Sequence, residues 1–267
     1  MAGRLGHTRF QGARPAWVTG CAAAIGTAAV LGIAGCTGSG AGGPAAATGT
    51  PVALGSGPAA ALQQQYEAVI EHVLPSVVQI NTSTATGSGV VYDDKGDIVT
   101  NAHVVGDAKT VTVQPATGGG TLNANVLGVD TGEDLAIVRV TAHAGALHPA
   151  AFGPSKDVKA GQIVLAMGSP LGLTGSVTQG IISATSRTVT ESTAEGTGTT
   201  TIDDALQTSA AINGGNSGGA LVNLDGQVIG IPTAAARDPE AGSAPGIGFA
   251  IPSDTVTSVA PRLISGT

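Results

Sequence analysis

The sequence reads as an all-β protein: two packed six-stranded antiparallel β-barrels, with a short helix before them and another after. Three observations carry that expectation. Apolar residues come in short β-branched runs broken by Gly, Asp, Asn and Pro, the punctuation of many short strands. Aromatic residues make up only 2% of the chain and glycines number 42, so a core must be built from Val, Ile, Leu and Ala. The runs also fall into two groups, divided by His143–Lys159, where no periodic apolar spacing persists.

Taken in order, the first 35 residues stand outside that fold. Arg4, Arg9 and Arg14 precede an apolar stretch from Trp17 to Ala34, the pattern of an export signal. It closes on Ile33-Ala34-Gly35-Cys36, which resembles the lipobox of bacterial lipoproteins except that Ile replaces the usual leading Leu. Cleavage before Cys36 would leave its thiol to carry a diacylglyceryl anchor, and two acyl chains suffice for stable membrane attachment. A plain secretory signal and an uncleaved helix are the alternatives; the many Gly and Ala residues weaken the second. Residues 36–60 are an Ala/Gly/Pro/Thr tract expected to act as a flexible linker, and 61–267 form the folded domain. Within it the first barrel spans about 75–145 and the second about 158–252.

Leu62, Tyr66, Val69, Ile70 and Val73 recur at helical spacing and predict an amphipathic helix ending at Pro75. Strands follow at Val77–Ile80, Gly89–Tyr92, Ile98–Thr100, Thr110–Val113, Asn125–Val129 and Leu135–Val140. The second set is Gln162–Met167, Ser176–Ser183, Ala220–Asn223, Gln227–Ile231 and Ile247–Ile251. Hairpin turns are predicted at Asp93-Asp94-Lys95-Gly96 and Leu224-Asp225-Gly226. His143 and His148 lie in an Ala/Gly/Pro loop and are expected at the surface.

The residues that carry chemistry begin at Asn213-Gly214-Gly215-Asn216-Ser217-Gly218-Gly219. Glycines supply the unusual backbone angles and the close approach that a nucleophile and an oxyanion site need. The run also fits the G-x-S-x-G elbow of α/β-hydrolases, but those place the catalytic His after the Ser. All five histidines here precede Ser217. His103 ends a β-branched run at a strand end, and Asp134 opens the strand Leu135–Val140 behind a polar turn, Asp130–Glu133. Alone, each is an ordinary surface or turn residue. Together, in the order His, Asp, Ser, they form a candidate triad. Ser217 is the nucleophile, His103 the base and Asp134 the residue that orients the imidazole, while the N–H groups of Gly215 and Ser217 receive the oxyanion. No Cys/His or HExxH spacing suggests a metal, and no cofactor is expected.

Four segments, TNAHVV (Thr100–Val105), DLAIV (Asp134–Val138), GNSGG (Gly215–Gly219) and PGIGFAIP (Pro245–Pro252), resemble the trypsin-like serine proteases, specifically the bacterial HtrA/DegP branch. The likeness runs from about Glu67 to Ile251. It implies peptide-bond hydrolysis, with polypeptides, unfolded proteins among them, as substrates. By position it also implies a specificity pocket with Ala211 at its base, Ile212–Gly214 and Thr233–Ala235 as walls, and Gly246–Gly248 behind. Ala211 offers no acid for a Lys or Arg side chain, so the pocket is expected to take small or medium aliphatic residues. Asn216 stands where zymogens keep an Asp for a new N-terminus, which argues against activation by that route. The family sets its oxyanion hole by ordering loops, and the corresponding segment here, Arg187–Thr201, is expected to be a mobile loop.

Relatives also build trimers through aromatic residues of the leading helix. Tyr66 is the only one here, so monomer and trimer both remain open. Ser253–Thr267 leave room for a terminal helix and not for a PDZ domain, and none is expected. Pro232 lacks the N–H that a strand pairing with substrate would offer. Cys21 lies in the signal and Cys36 is the only other cysteine, so no internal disulfide is expected. Loss of the signal leaves 8 basic and 18 acidic residues, net −10, which argues against a nucleic-acid partner. The leading expectation is an endopeptidase on the extracytoplasmic face of a bacterial membrane, lipid-anchored or secreted. A narrow processing protease and a catalytically quiet binding lipoprotein are its rivals.

Overall fold

The computed structural model describes residues 57–141, 147–169, 175–192, 199–238 and 242–266. The export signal, Cys36, most of the linker and His143 lie outside the described residues. Among the described residues no helix is long and apolar enough to cross a membrane.

Helix α1 (Pro58–Val73) starts with proline in its first turn, where the missing N–H costs nothing, and stops ahead of Pro75. It buries Val69 and Val73 and rests Tyr66 and Ile70 against the same core. The first barrel follows: β1 (Val77–Asn81), β2 (Thr86–Val91), β3 (Asp97–Thr100), β4 (Thr110–Pro115), β5 (Leu122–Asp130) and β6 (Leu135–Val140). A four-residue helix, α2 (Ala102–Val105), interrupts it after β3. The second barrel contains β7 (Ile163–Gly168), β8 (Ser176–Ser192), β9 (Thr199–Thr208), β10 (Ala220–Val222), β11 (Val228–Asp238) and β12 (Gly242–Pro252). Helix α3 (Ser253–Ser265) follows directly. Both six-stranded sheets close, in the orders β1-β2-β3-β6-β5-β4 and β10-β11-β12-β9-β8-β7, with neighbouring strands antiparallel.

Strands such as β6 and β7 read as near-continuous apolar runs because both of their faces are covered. Val78, Ile80, Ile98, Ala136 and Val138 belong to the core of the first barrel. Their neighbours Val77, Val99, Leu135 and Ile137 point the other way, into a cluster shared with the second barrel. The second barrel repeats the rule, with Val164, Ala166 and Leu221 in its own core and Leu165, Met167, Ala220 and Val222 in the shared cluster. Val256, Val259 and Ala260 of α3 seal that cluster from one side.

Both predicted hairpin turns form. Gly96 has φ 82° and Gly226 φ 75°, and the Asp93 carboxylate accepts the N–H groups of Lys95 (2.9 Å) and Asp97 (3.1 Å). Asp97 is fully buried and forks onto Arg139 of the paired strand β6 at 2.5 and 2.6 Å. That hydrogen bond pushes the guanidinium further above its ordinary value.

Two expectations need correction. Arg187–Thr201 is not a loop throughout: β8 runs to Ser192 and β9 begins at Thr199, leaving only 193–198 outside the described residues. Beyond the barrel the two strands continue as a ribbon in which Thr190 pairs with Thr201 and Val189 with Ile202. Its side chains are largely exposed Thr and Asp, with left-handed residues at Ser186 (φ 55°) and Asp204 (φ 56°), so no apolar alternation marks it. Strand β9 itself was missed for the same reason. The second correction is minor: β11 and β12 extend past the predicted runs as another paired ribbon.

Candidate active site

His103 does not sit on a strand. It lies on α2, whose neighbours Val104 and Val105 are buried and pin the short helix to the first barrel. Its side chain stays one-third exposed, beside an Asp134 side chain that is almost wholly buried (33% and 6%). Asp134 precedes β6 with φ 50°, a left-handed value that Asp adopts more readily than most residues. Two donors hold its carbonyl oxygen: the Ala102 N–H at 3.1 Å and the Asn101 amide at 3.0 Å. Its carboxylate turns back onto α2, taking the His103 N–H on Oδ1 at 3.0 Å and His103 Nδ1 on Oδ2 at 2.8 Å. An ionised carboxylate only accepts, so in the neutral imidazole Nδ1 carries the proton and Nε2 carries none. That tautomer follows from the bonding pattern.

Thr233 adds a partner. Its hydroxyl donates to Asp134 Oδ2 at 2.6 Å, and its carbonyl oxygen accepts the Ser217 hydroxyl at 3.1 Å. One buried residue of β11 thereby touches both the candidate acid and the candidate nucleophile. Sequence position had suggested only a pocket wall.

Ser217 lies in a turn packed hard against the first barrel. Its carbonyl accepts the Ser88 N–H at 2.8 Å, and Gly218 donates its N–H to the Pro232 carbonyl at 2.9 Å. Gly218 has φ 83°, and a Cβ there would collide with the Ser88 carbonyl oxygen and Thr100 Oγ1, so only glycine fits. The Gly215 carbonyl accepts the Ser88 hydroxyl at 2.6 Å. Among the described residues, the N–H groups of Gly215 and Ser217 are donated to no protein acceptor. Asn216 is buried, donating Nδ2 to the Ala211 carbonyl at 2.9 Å while its Oδ1 has no partner.

Of the proposed pocket residues, Ile212 and Gly248 meet directly: a Cβ on Gly248 would run into Ile212 Cγ1. Ala211 and Gly246 are exposed, and Gly246 has φ 80°. Ala235 pairs with Gly248 through the backbone. Ser88 and Asn101 were overlooked in the sequence, although the glycines flanking Ser88 are a signal of close approach.

Residues 87–231 match the trypsin-like peptidase domain family. Serine protease PepD of Mycobacterium tuberculosis is 41% identical over 244 residues, covering 83% of this chain and 52% of that protein. A probable periplasmic serine endoprotease, DegP-like, of Brucella suis is 43% identical over 67% of this chain and 33% of its own length. The solved structure of the HtrA-type protease AlgW with tripeptide superposes with a TM-score of 0.64 at 35% identity, over 74% of this chain and 63% of that one. The chain thus spans about half of PepD and a third of the Brucella protein. A family match across more than half of its residues, on two closed barrels, means that this chain belongs to the trypsin-like peptidase domain family, in its HtrA-type branch.

Proposed function

We propose that this protein is a serine endopeptidase in which Ser217, His103 and Asp134 act as the triad. The observation that carries the reading is that Thr233 bonds both Ser217, through its carbonyl, and Asp134, through its hydroxyl, while the Asp134 carboxylate holds His103 Nδ1. The Ser217 hydroxyl turns from the Thr233 carbonyl toward His103 Nε2, loses its proton there, and its oxygen bonds to the scissile carbonyl carbon. Asp134 stabilises the imidazolium. The imidazolium then protonates the departing amine as the scissile C–N bond breaks; water, deprotonated by the same nitrogen, attacks the acyl carbon, and the imidazolium returns that proton to Ser217 Oγ as the acyl–oxygen bond breaks.

The developing oxyanion is taken by the N–H groups of Gly215 and Ser217, an interaction worth roughly 3–4 kcal/mol per donor. The turn Asn213–Asn216 is closed by a 2.9 Å bond, and the left-handed glycines include Gly218 but neither Gly214 nor Gly215, which is a type I arrangement. Rotation of the Gly214–Gly215 peptide to type II would reverse the Gly215 N–H and require positive φ at Gly215. A glycine at that position is needed only in the type II form, so we assign that form as the donating one.

Ile212 packed over Gly248, with Ala211 in place of an acid, favours Val, Ala, Ile or Leu before the cleaved bond. The substrates are taken to be extracytoplasmic polypeptides, with attachment through a lipid on Cys36. A fluorophosphonate probe is expected to label the purified protein, and Ser217→Ala is expected to lose both labelling and hydrolysis of aliphatic peptide amides. Wild-type protein that stays unlabelled and hydrolyses nothing would leave a binding protein instead. Cleavage after Arg alone would overturn the pocket. Intact mass after bacterial expression reads the modification of Cys36.

A further inference from the structure

We infer that Ser88, on the first barrel, is a positioning residue for the oxyanion turn of the second. The inference rests on the active-site reading above and adds a residue to it. Ser88 is wholly buried, and each of its polar groups is engaged. Its N–H donates to the Ser217 carbonyl at 2.8 Å, and its own carbonyl accepts Thr100 Oγ1 at 2.6 Å. Its hydroxyl lies between the Ser169 N–H, at 2.9 Å, and the Gly215 carbonyl oxygen, at 2.6 Å.

The direction of those last two bonds is forced. A backbone N–H can only donate, so Ser88 Oγ accepts from Ser169. A carbonyl oxygen can only accept, so the single hydroxyl proton goes to Gly215. One side chain thus ties the end of β7 to the nucleophile turn, across the junction of the barrels.

The consequence is local. The Gly215 carbonyl belongs to the peptide between the two proposed oxyanion donors, and the Ser217 carbonyl belongs to the peptide just beyond them. Ser88 holds both, and the Asn216 carbonyl in between accepts the Gly219 N–H at 2.9 Å. With the carbonyls of residues 215, 216 and 217 fixed, rotation of the turn is confined to the Gly214–Gly215 peptide. The Ser217 N–H is held in place throughout. Neighbouring glycines permit the approach: a Cβ on Gly168 would come within 3.0 Å of Ser88 Oγ and 2.9 Å of Asn216 Cα.

The test is kinetic. Ser88→Ala is expected to lower kcat on a valine peptide amide about 10- to 100-fold, less than the roughly 10²- to 10³-fold cost of losing one oxyanion donor outright because the donor is misaligned rather than removed, with KM changed less than about 3-fold. A peptidyl trifluoromethyl ketone forms an oxyanion on Ser217, and its affinity should fall by the same factor as kcat. The same peptide ending in a methylamide should bind as to wild type. Parallel weakening of both ligands would mean that Ser88 serves only the fold, and wild-type kcat would also sink the inference. Should Ser88→Ala not fold, Ser88→Cys, similar in size but a weak donor, replaces it, with an intermediate kcat expected and wild-type kcat overturning the idea. Ser217→Ala separates the two levels: hydrolysis that survives it defeats the active-site reading, whereas its loss alongside a fully active Ser88→Ala defeats only the role of Ser88.

Discussion

At Asp134, three hydrogen bonds from two residues converge on one carboxylate. Two of those bonds come from α2, and the third comes from Thr233, 99 positions along the chain. A hydrogen bond to a charged group is worth about 1.5–3 kcal/mol, so removing the Thr233 hydroxyl should matter even with the proposed triad intact. Thr233→Ala is expected to reduce kcat/KM about 10- to 100-fold, and Thr233→Ser to restore it to within about 3-fold. Peptide-amide kinetics on the folded variants check this; equal activity of Ala and Thr would remove Thr233 from the site. His103, Asp134 and Ser217 could be singled out from the sequence because their order along the chain and the local patterns around them are sequence properties. The part played by Thr233 was not, because its partners are fixed by barrel packing.

Between elements, the critical contact is that of β2 with α2. Gly87 lies so close to α2 that an added Cβ would sit 2.7 Å from both Val104 methyls and 3.3 Å from the Ser217 carbonyl oxygen. Real Cβ atoms do not tolerate the first distance, and Val104 is adjacent to His103. Gly87→Ala is therefore expected to displace α2 and, with His103 as the proposed base, cost about 10- to 100-fold in kcat/KM, the penalty for sub-ångström to ångström misplacement of a reacting group. Circular dichroism should still show a β-rich fold; unchanged kinetics would mean that α2 yields without moving His103. Strands such as β1, β6 and β7 were readable because both faces are largely buried: β7 is apolar up to its final glycine, and the apolar runs of β1 and β6 are broken only at Gln79 and Arg139. Only part of β9 packs inside, at Ile202, Ala205 and Leu206, and its threonine-rich remainder looks like a loop.

Across the whole molecule, the two barrels share one buried cluster as well as having cores of their own. Residues such as Val99, Ile137, Leu165 and Ile231 lose their cover if either barrel opens. Unfolding is therefore expected to be a single cooperative transition, with equal calorimetric and van't Hoff enthalpies. Two resolved heat-absorption peaks would show that the barrels are independent.

From residue order alone came the inventory of reactive groups, the His–Asp–Ser sequence, the apolar strands and the glycines that allow close approach, all of which leave local patterns. The engagement of Ser88 with Gly215, 127 positions away, and the bridge made by Thr233 were decided only on folding. Such hydrogen bonds join residues that barrel closure brings together, and no short-range spacing encodes them.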